Sequence, residues 1–182
     1  GRRIKSWLGQ RKARRAVIVG MGYIALEMAE ALVERGLAVD LIKPRPGLLP
    51  WLHPALMQPV RDALIAKGIG VHDGHPIDRI EAQGEGLSVI SGQLVLPADL
   101  VIVAIGVTPN NHLAKAADLA LGIGGAIAVD RSLRTSDPAI FAAGDCADSY
   151  HLVTGQKTWI PLALRAHRAG WAVADNVCGG EV

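Results

Sequence analysis

The feature that most constrains this chain is the pattern Gly20-Met21-Gly22-Tyr23-Ile24-Ala25, a G-x-G-x-x-A sequence between a strand-like and a helix-like segment. The short apolar run 15–19 before the pattern is typical of a buried parallel strand, and residues 23–35 after it have helical periodicity. In this setting Gly20 permits a tight turn, Gly22 lets the backbone approach a pyrophosphate, and the small Ala25 lets the helix pack close to the strand. The pattern therefore predicts a dinucleotide-binding unit.

The periodicity along the rest of the chain extends this unit into an α/β fold. Strands that alternate with helices at this spacing form right-handed βαβ units around a parallel sheet. Short alternating pieces between Gly-rich turns predict a small antiparallel meander inserted in that arrangement. The predicted strands are 38–42, 69–72, three meander pieces at 77–82, 87–90 and 93–96, then 100–105, 127–130 and 139–143, and the further helices are 53–67, 113–119 and 160–177, the last with Pro161 at its start.

The charge of the chain is concentrated in its first fifteen residues. They contain seven basic side chains and no acidic one, so that the rest carries a net charge of −5 in a chain of +2. A basic arm can bind nucleic acid or anionic lipid, but a solvated face of a short helix around Ile4, Trp7 and Leu8 is the favoured interpretation. Because only 4% of the residues are aromatic, a base-stacking platform is also disfavoured. We therefore expect no nucleic-acid partner.

Cysteine usage and hydropathy indicate where such a chain works. Cys146 and Cys178 are too few for a disulfide framework, which is typical of a reducing cytoplasm. The longest apolar stretches, such as 100–107, are far shorter than the roughly 20 residues that span a bilayer, and no secretory signal opens the chain. The sequence therefore predicts a cytoplasmic protein with no membrane contact.

Other chemistries find little support in the sequence. His72 and His75 are close to each other, but no further histidine or cysteine is near them, so loop polarity explains the pair better than a metal does. There is no G-x-S-x-G elbow and no G-x-x-x-x-G-K-[ST] loop, which argues against a serine hydrolase and a P-loop nucleotide hydrolase. We expect no metal site.

The residue that ends the second predicted strand should distinguish the two pyridine dinucleotides. An acidic group there holds the ribose 2′-hydroxyl of NAD, whereas a basic group pairs with the 2′-phosphate of NADP. Asp40 lies within the strand, which ends at Lys43, and Arg45 follows two residues later. We expect Lys43 and Arg45 to contact the cofactor and to favour NADPH over NADH; the alternative is a loop lysine that contacts nothing.

Four segments of the chain, in order, resemble the pyridine nucleotide–disulfide oxidoreductase family. Segment 17–27 is similar to the family's NAD(P)-binding entry, and 101–110 to the crossover that returns to the flavin domain. Segment 135–148 resembles the second flavin motif, and 159–163 is most similar to the NADH oxidase and coenzyme A–disulfide reductase branch. The resemblance implies a Rossmann-like, three-layer FAD/NAD(P)-binding fold with a small antiparallel β meander.

The resemblance also implies a division of the chain. Residues 1–12 would be a basic connecting segment, 13–107 the NAD(P)-binding domain, and 108–182 the returning part of the FAD-binding domain. The family's first FAD half, its redox cysteine and its dimerisation domain have no counterpart here, and Cys146 and Cys178 match no redox motif. We expect this chain to be the middle of a longer, homodimeric enzyme and to be inactive alone.

Individual residues match family positions with known roles. Tyr23 matches the tyrosine that covers the isoalloxazine until the nicotinamide displaces it, and Glu27 matches a glutamate near the nicotinamide. Asp145 matches the aspartate that binds a ribitol hydroxyl of FAD, and the helix starting near Pro161 would direct its positive end at the flavin. The cofactor-binding residues expected are Gly20, Gly22, Tyr23, Ile24, Ala25, Lys43, Arg45, Gly106, Gly144, Asp145, Pro161, Leu162 and Ala163.

The function implied is that of an FAD-dependent NAD(P)H oxidoreductase. Hydride would pass from the nicotinamide to the flavin and on to a small-molecule or protein acceptor: a disulfide, oxygen or an electron carrier. One alternative is a reductase component for rubredoxin, ferredoxin or a nitrite reductase centre. The other is a non-catalytic dinucleotide-binding sensor, against which the flavin motif at Gly144 and Asp145 counts.

Overall fold

The computed structural model describes residues 1–49 and 51–180 and divides into two compact units, Gly1–Gly106 and one that begins at Val107. The helices of the first unit are α1 (Arg2–Gln10), α2 (Tyr23–Val33) and α3 (Pro54–Ala66), and its strands are β1 (Arg15–Val19), β2 (Ala38–Lys43), β3 (Gly70–Asp73), β4 (Arg79–Gln83), β5 (Gly86–Ser91), β6 (Leu94–Ala98) and β7 (Leu100–Val103). This unit is built on a parallel sheet with the strand order β3-β2-β1-β7.

The two faces of the parallel sheet are covered by different layers. On one face α2 buries Ala25, Ala29 and Leu32 against side chains of β1 and β2. On the other face the antiparallel strands β4, β5 and β6 place Val89 and Leu96 in one cluster with residues of β1 and β2. The predicted α/β class, with three layers and a meander, is confirmed.

The basic segment at the start of the chain forms the helix α1 rather than an extended arm. Ile4, Trp7 and Leu8 are half-buried, and Leu8 packs on the core, while the basic side chains of α1 are exposed. The carboxylate of Asp99 accepts hydrogen bonds from the amides of Arg14 and Arg15, at 2.7 and 2.9 Å. These two hydrogen bonds lower the pKa of Asp99 and fix the start of β1 beside β7.

Helix α2 and strand β7 of the first unit are shorter than the sequence predicts. Helix α2 ends at Val33 instead of residue 35, because the amide of Gly36 already bonds to the carbonyl of Val33 in a closing turn. Strand β7 ends at Val103 instead of residue 105.

The second unit is less regular than the sequence predicts. Its α-helices and strands are α4 (His112–Ala116), β8 (Ser149–Tyr150), β9 (Lys157–Thr158) and α5 (Ala163–Val177), and it has two 3₁₀ turns, Ile123–Gly125 and Gly144–Cys146. The predicted strands at 127–130 and 139–143 were wrong, since within the described residues these segments make only isolated bridges, Leu121 to Ile127, Ile127 to Ala147 and Arg134 to Phe141. A tight turn begins at the last residue of the first segment, where the amide of Asp130 donates to the carbonyl of Arg134.

Helix α5 begins at Ala163, not at the predicted residue 160. Leu162 is its N-cap and has extended backbone angles (φ −130°, ψ 135°), so Pro161 lies outside the helix. Helix α4 likewise ends at Ala116 instead of residue 119. The last two positions of the predicted segment 108–182 lie outside the described residues. Across the described ranges, none of the helices combines the length and the apolar composition needed to cross a bilayer.

Candidate functional site

The turn between β1 and α2 holds its glycines for two different reasons, of which the first is the fold itself. Gly20 has φ +125°, and a Cβ placed there would lie 2.1 Å from the carbonyl oxygen of Ala104. The amide of Gly20 donates to Ile42, and the amide of Ala104 donates to Val19, at 2.8 and 2.7 Å. Because the chain leaving β7 passes so close, no other residue fits at Gly20.

Gly22 meets no such obstacle, and its free space lies at the start of a helix. Its φ is −90°, which any residue can adopt, and the described atom nearest to a Cβ placed there would be Cη2 of Trp51, at 3.8 Å. Gly22 is the N-cap of α2, and its carbonyl accepts the first helical hydrogen bond, from Leu26. The amides of the first turn of α2, before Leu26, therefore have no partner within the helix and lie at the positive end of the helix dipole. This arrangement suits a phosphate group.

An aromatic pair stands beside this turn. Nε1 of Trp51 donates to the hydroxyl of Tyr23 at 3.1 Å, and the ring centroids are 4.9 Å apart. Both rings remain about half exposed, at 56% and 50%, and Glu27 is exposed one turn further along α2. Sequence reasoning missed Trp51; the available signal was a tryptophan near a predicted cofactor turn in a chain with few aromatic residues.

The end of β2 and the turn that follows it carry the two cations that are expected to distinguish the two dinucleotides. Lys43 is the last residue of β2, as predicted, and its Nζ donates to the carbonyl oxygen of Gly47 at 2.6 Å. Arg45 is exposed, and its guanidinium has no hydrogen-bond partner in the described part of the chain. Asp40 points elsewhere, because its carboxylate pairs with Nε2 of His72 at 2.8 Å.

A carboxylate on the neighbouring strand holds this turn. Oδ2 of Asp73 accepts the amide of Gly47 at 2.6 Å, and Oδ1 accepts Nη2 of Arg61 at 2.5 Å. Burial alone would raise the pKa of Asp73, but the hydrogen bonds from Arg61 and Gly47 outweigh it and hold the pKa below its ordinary value. The carboxylate is therefore ionised at neutral pH. Two residues further on, the amide of Leu49 bonds to the carbonyl of Met21, within the glycine pattern itself.

In the second unit, Gly144 and Asp145 lie in a single 3₁₀ turn, Gly144–Cys146. The carbonyl of Asp145 accepts Nε1 of Trp159 at 2.8 Å, while its carboxylate is exposed and unpaired with respect to every residue that the structure describes. Sγ of Cys146 lies 3.3 Å from the carbonyl of Ala143, and Cys146 and Cys178 are free thiols. The one acidic group of this turn is thus available to a ligand.

Arg165 of α5 holds the same turn in place. Its guanidinium donates to the carbonyl of Gly144 at 3.2 Å, to the carbonyl of Asp148 at 2.9 Å and to Oγ of Ser149 at 3.2 Å. The first hydrogen bond of α5 runs from Ala166 to Leu162, so the amides before Ala166 lie at the open N-terminus of the helix. Sequence reasoning did not identify Arg165, since its role depends on backbone carbonyls that no sequence pattern marks.

A buried ion pair supports this unit from the inside. Asp148 is 1% exposed and accepts Nζ of Lys157 at 2.7 Å and the amide of Val129 at 3.1 Å. Lys157 donates in addition to the carbonyl of Val129. A Cβ at Gly122 would lie 2.1 Å from Asp148, which is why this position has no side chain. We assign Asp148 and Lys157 a structural role.

The structure brings the predicted residues together in two groups, one in each unit. In the first, Gly20 to Ala25 form the turn and the start of α2, with Ala25 fully buried and Ile24 exposed. Lys43 ends β2, and Arg45 lies on the turn after it. Gly106 ends the first unit, and a side chain there would meet no described atom within 4 Å. The second group consists of Gly144, Asp145, Pro161, Leu162 and Ala163.

Comparison with known proteins places these features in a family. Residues 3–170 match the model of a family described as pyridine nucleotide-disulphide oxidoreductase. The chain is 34% identical, over 179 residues, to an NAD(P)H sulfur oxidoreductase (CoA-dependent) of Pyrococcus furiosus, covering 98% of this chain and 40% of the relative. It is 43% identical, over 139 residues, to the nitric oxide reductase FlRd-NAD(+) reductase of Aeromonas salmonicida, covering 75% of this chain and 35% of the relative.

A solved structure is similar over nearly the whole chain. The NAD-dependent persulfide reductase from A. fulgidus superposes with a TM-score of 0.89 and 36% identity, covering 98% of this chain and 33% of that protein. This chain therefore spans about two fifths or less of the length of the relatives that it matches.

Proposed function

The chain belongs to the pyridine nucleotide-disulphide oxidoreductase family, and from this premise we propose that residues 13–107 bind NAD(P)H and that residues 108–182 contribute to an FAD site. The observation that carries the proposal is the contrast between the two glycines. Gly20 is required by the backbone of Ala104, whereas Gly22 is not required by any described neighbour and leaves space at the N-terminus of α2. A glycine that packing does not demand, at a helix start, is what pyrophosphate binding uses.

The residues around Gly22 fit a dinucleotide. The free amides at the start of α2 would hold the pyrophosphate, and Lys43 and Arg45 would hold the ribose phosphate. An ammonium group has three donors, and Gly47 occupies one of those of Lys43, so two remain for a 2′-phosphate. Tyr23 and Glu27, four residues apart on α2, would orient the nicotinamide and exclude water from it.

The second unit fits a flavin contact for a separate reason. The carboxylate of Asp145 is exposed and unpaired with described groups, and Arg165 holds the backbone of the preceding residue, Gly144. The carboxylate would therefore be free to accept a ribitol hydroxyl. The N-terminus of α5, at Leu162 and Ala163, would stabilise negative charge on a bound ring system. The chemistry that the two cofactors would supply, when bound, is hydride donation by the nicotinamide and hydride acceptance by the flavin.

For the acceptor that would take electrons from the flavin, we propose only a chemical class. The Pyrococcus furiosus relative is named for sulfur, which favours a sulfur compound or a disulfide. A reductase that serves a protein electron carrier is the second candidate, favoured by the 43% identity to the FlRd-NAD(+) reductase. We expect the chain of 182 residues, by itself, to bind the dinucleotide without catalysing a redox reaction.

Titration of this chain with NADH and NADPH tests the proposal. We expect saturable binding of both, with NADPH bound the more tightly, because each charge-assisted hydrogen bond to the 2′-phosphate contributes about 1.5–3 kcal/mol. The variant Lys43→Glu should lose about tenfold or more in NADPH affinity and little in NADH affinity. A folded wild type that binds neither dinucleotide would refute the proposed function; a wild type that prefers NADH would refute only the assignment of Lys43.

The flavin contact is tested by Asp145→Ala in the whole protein. We expect the variant to lose flavin on gel filtration while its affinity for NAD(P)H changes less than about twofold, because Asp145 lies outside the dinucleotide unit. The matched control is Asp175→Ala, which removes an exposed carboxylate from α5. The absorbance band of the flavin, measured per polypeptide, reports the loss. Full flavin content in Asp145→Ala would contradict the assignment, and a folded wild-type protein without any flavin band would favour the sensor alternative.

A further inference from the structure

We propose that Asp73, a residue of β3 outside the predicted site, is a positioning residue that sets the preference for NADPH by holding Lys43 through Gly47. The inference rests on the proposed dinucleotide function and deepens it. Asp73 lies directly opposite Lys43 in the parallel register of β2 and β3. It therefore acts at the point where the second strand ends and the cofactor-reading turn begins.

Both backbone groups of Gly47 are used in this connection. The amide of Gly47 donates to Asp73 at 2.6 Å, and the carbonyl of Gly47 accepts Nζ of Lys43 at 2.6 Å. The Lys43 ammonium is thus held by an oxygen atom whose own position depends on the carboxylate of Asp73. Gly47 has φ +84°, which favours glycine at this point of the turn.

The turn between Lys43 and Gly47 needs an external anchor. Pro44 and Pro46 have no backbone N–H, so they cannot donate the hydrogen bonds that usually close a turn. Asp73 supplies this missing constraint, and Arg61 fixes the carboxylate itself by bonding to its other oxygen at 2.5 Å. Both side chains are largely buried, with 15% of Asp73 and 27% of Arg61 exposed, so the pair is stiffer than a surface ion pair.

The sign of the effect separates positioning from simple electrostatics. A carboxylate near a phosphate repels it, so removing the charge of Asp73 should strengthen NADPH binding if the charge acts directly. If Asp73 acts by holding Lys43, removing it should weaken NADPH binding instead. NADH has no 2′-phosphate, and its affinity measures any general damage to the turn, including the contact of Leu49 with Met21.

The experiment is a double-mutant cycle with Asp73→Asn and Lys43→Ala, read as the ratio of NADPH to NADH affinity. We expect Asp73→Asn to lower this ratio about five- to tenfold in the wild-type background and to leave it unchanged in the Lys43→Ala background. Asp62→Asn, which removes an exposed carboxylate from α3, is the matched control and should leave the ratio unaltered. Should Asp73→Asn not fold, Arg61→Met removes the contact that fixes the other oxygen of this carboxylate, and it is expected to lower the ratio less, but in the same Lys43-dependent way.

Each other outcome has a definite meaning. Equal weakening of both cofactors, a raised NADPH affinity, or an undiminished effect of Asp73→Asn without Lys43 overturns the inference while the proposed function stands. If the folded wild type binds neither NADH nor NADPH, the proposed function is overturned, and the inference with it.

Discussion

Replacing Gly20 by alanine is expected to destabilise the first unit by about 2–6 kcal/mol. A Cβ at this position would lie 2.1 Å from the carbonyl oxygen of Ala104, and the backbone has φ +125°, so the substitution combines a clash with backbone strain. Strain of this kind costs about 1–3 kcal/mol, and overpacking of a rigid core costs about 1–3 kcal/mol more. The clash could be relieved only if the chain after β7 moved, and a hydrogen bond from the amide of Ala104 to the carbonyl of Val19 in β1 opposes that movement.

The comparison that isolates the clash is Gly36→Ala. Gly36 also has a positive φ, +81°, but a side chain there would meet no described atom within 4 Å. We expect Gly36→Ala to cost about 1 kcal/mol from strain alone, and Gly20→Ala to lower the Tm by about 10 °C in a circular dichroism melt. If the two variants melt together, the close approach of Ala104 does not constrain Gly20.

The part of the fold nearest the glycine pattern could be predicted because its signals are local. Strand β1 is a continuous apolar run, and α2 carries its buried residues Ala25, Ala29 and Leu32 on one face, so period and burial agree. The end of β2 at Lys43 was predicted for a similar reason, since two prolines follow it closely. Each of these signals requires no knowledge of a distant partner.

The second unit could not be predicted as well, because its structure depends on single contacts between distant residues. Ile127 bridges to Leu121 on one side and to Ala147 on the other, and neither bridge is repeated at the next residue. The sequence pattern shows that such a segment is apolar, but it does not show whether the segment forms a continuous series of hydrogen bonds with a neighbouring strand. The same limit hid Arg165, whose partners are carbonyl groups, and Lys157, whose partner Asp148 is nine positions away.

The turns of the candidate site could be proposed from the sequence, but the contacts that hold these turns could not. The sequence singles out Gly20, Gly22 and Lys43, since glycine and charge at a strand end carry a chemical meaning by themselves. Trp51 and Asp73 reach the site from a loop and from an edge strand, through a ring contact and a backbone hydrogen bond. Such support is visible only once the chain is folded, which is why the specificity of a site is harder to predict than its place.

The remaining large effect is expected at Gly22, where valine should greatly weaken dinucleotide binding and leave the fold intact. The branched side chain would fill the space at the N-terminus of α2 and keep a pyrophosphate from the helix amides. The loss should reach about a hundredfold in affinity for both NADH and NADPH, or about 2.7 kcal/mol. The substitution should lower the free energy of unfolding by only about 1 kcal/mol, because φ is −90° and the nearest described atom is 3.8 Å from the Cβ position.

Gly9→Val is the matched control for this variant. Gly9 lies in α1 with no described atom within 4 Å of a Cβ, so the same substitution adds the same bulk away from the proposed site. Fluorescence titration should show wild-type affinity for Gly9→Val and no saturation for Gly22→Val, with both proteins melting within a few degrees of wild type. Undiminished affinity in Gly22→Val would mean that the phosphates bind elsewhere, because a pyrophosphate resting on the helix amides and a valine side chain cannot occupy the same space.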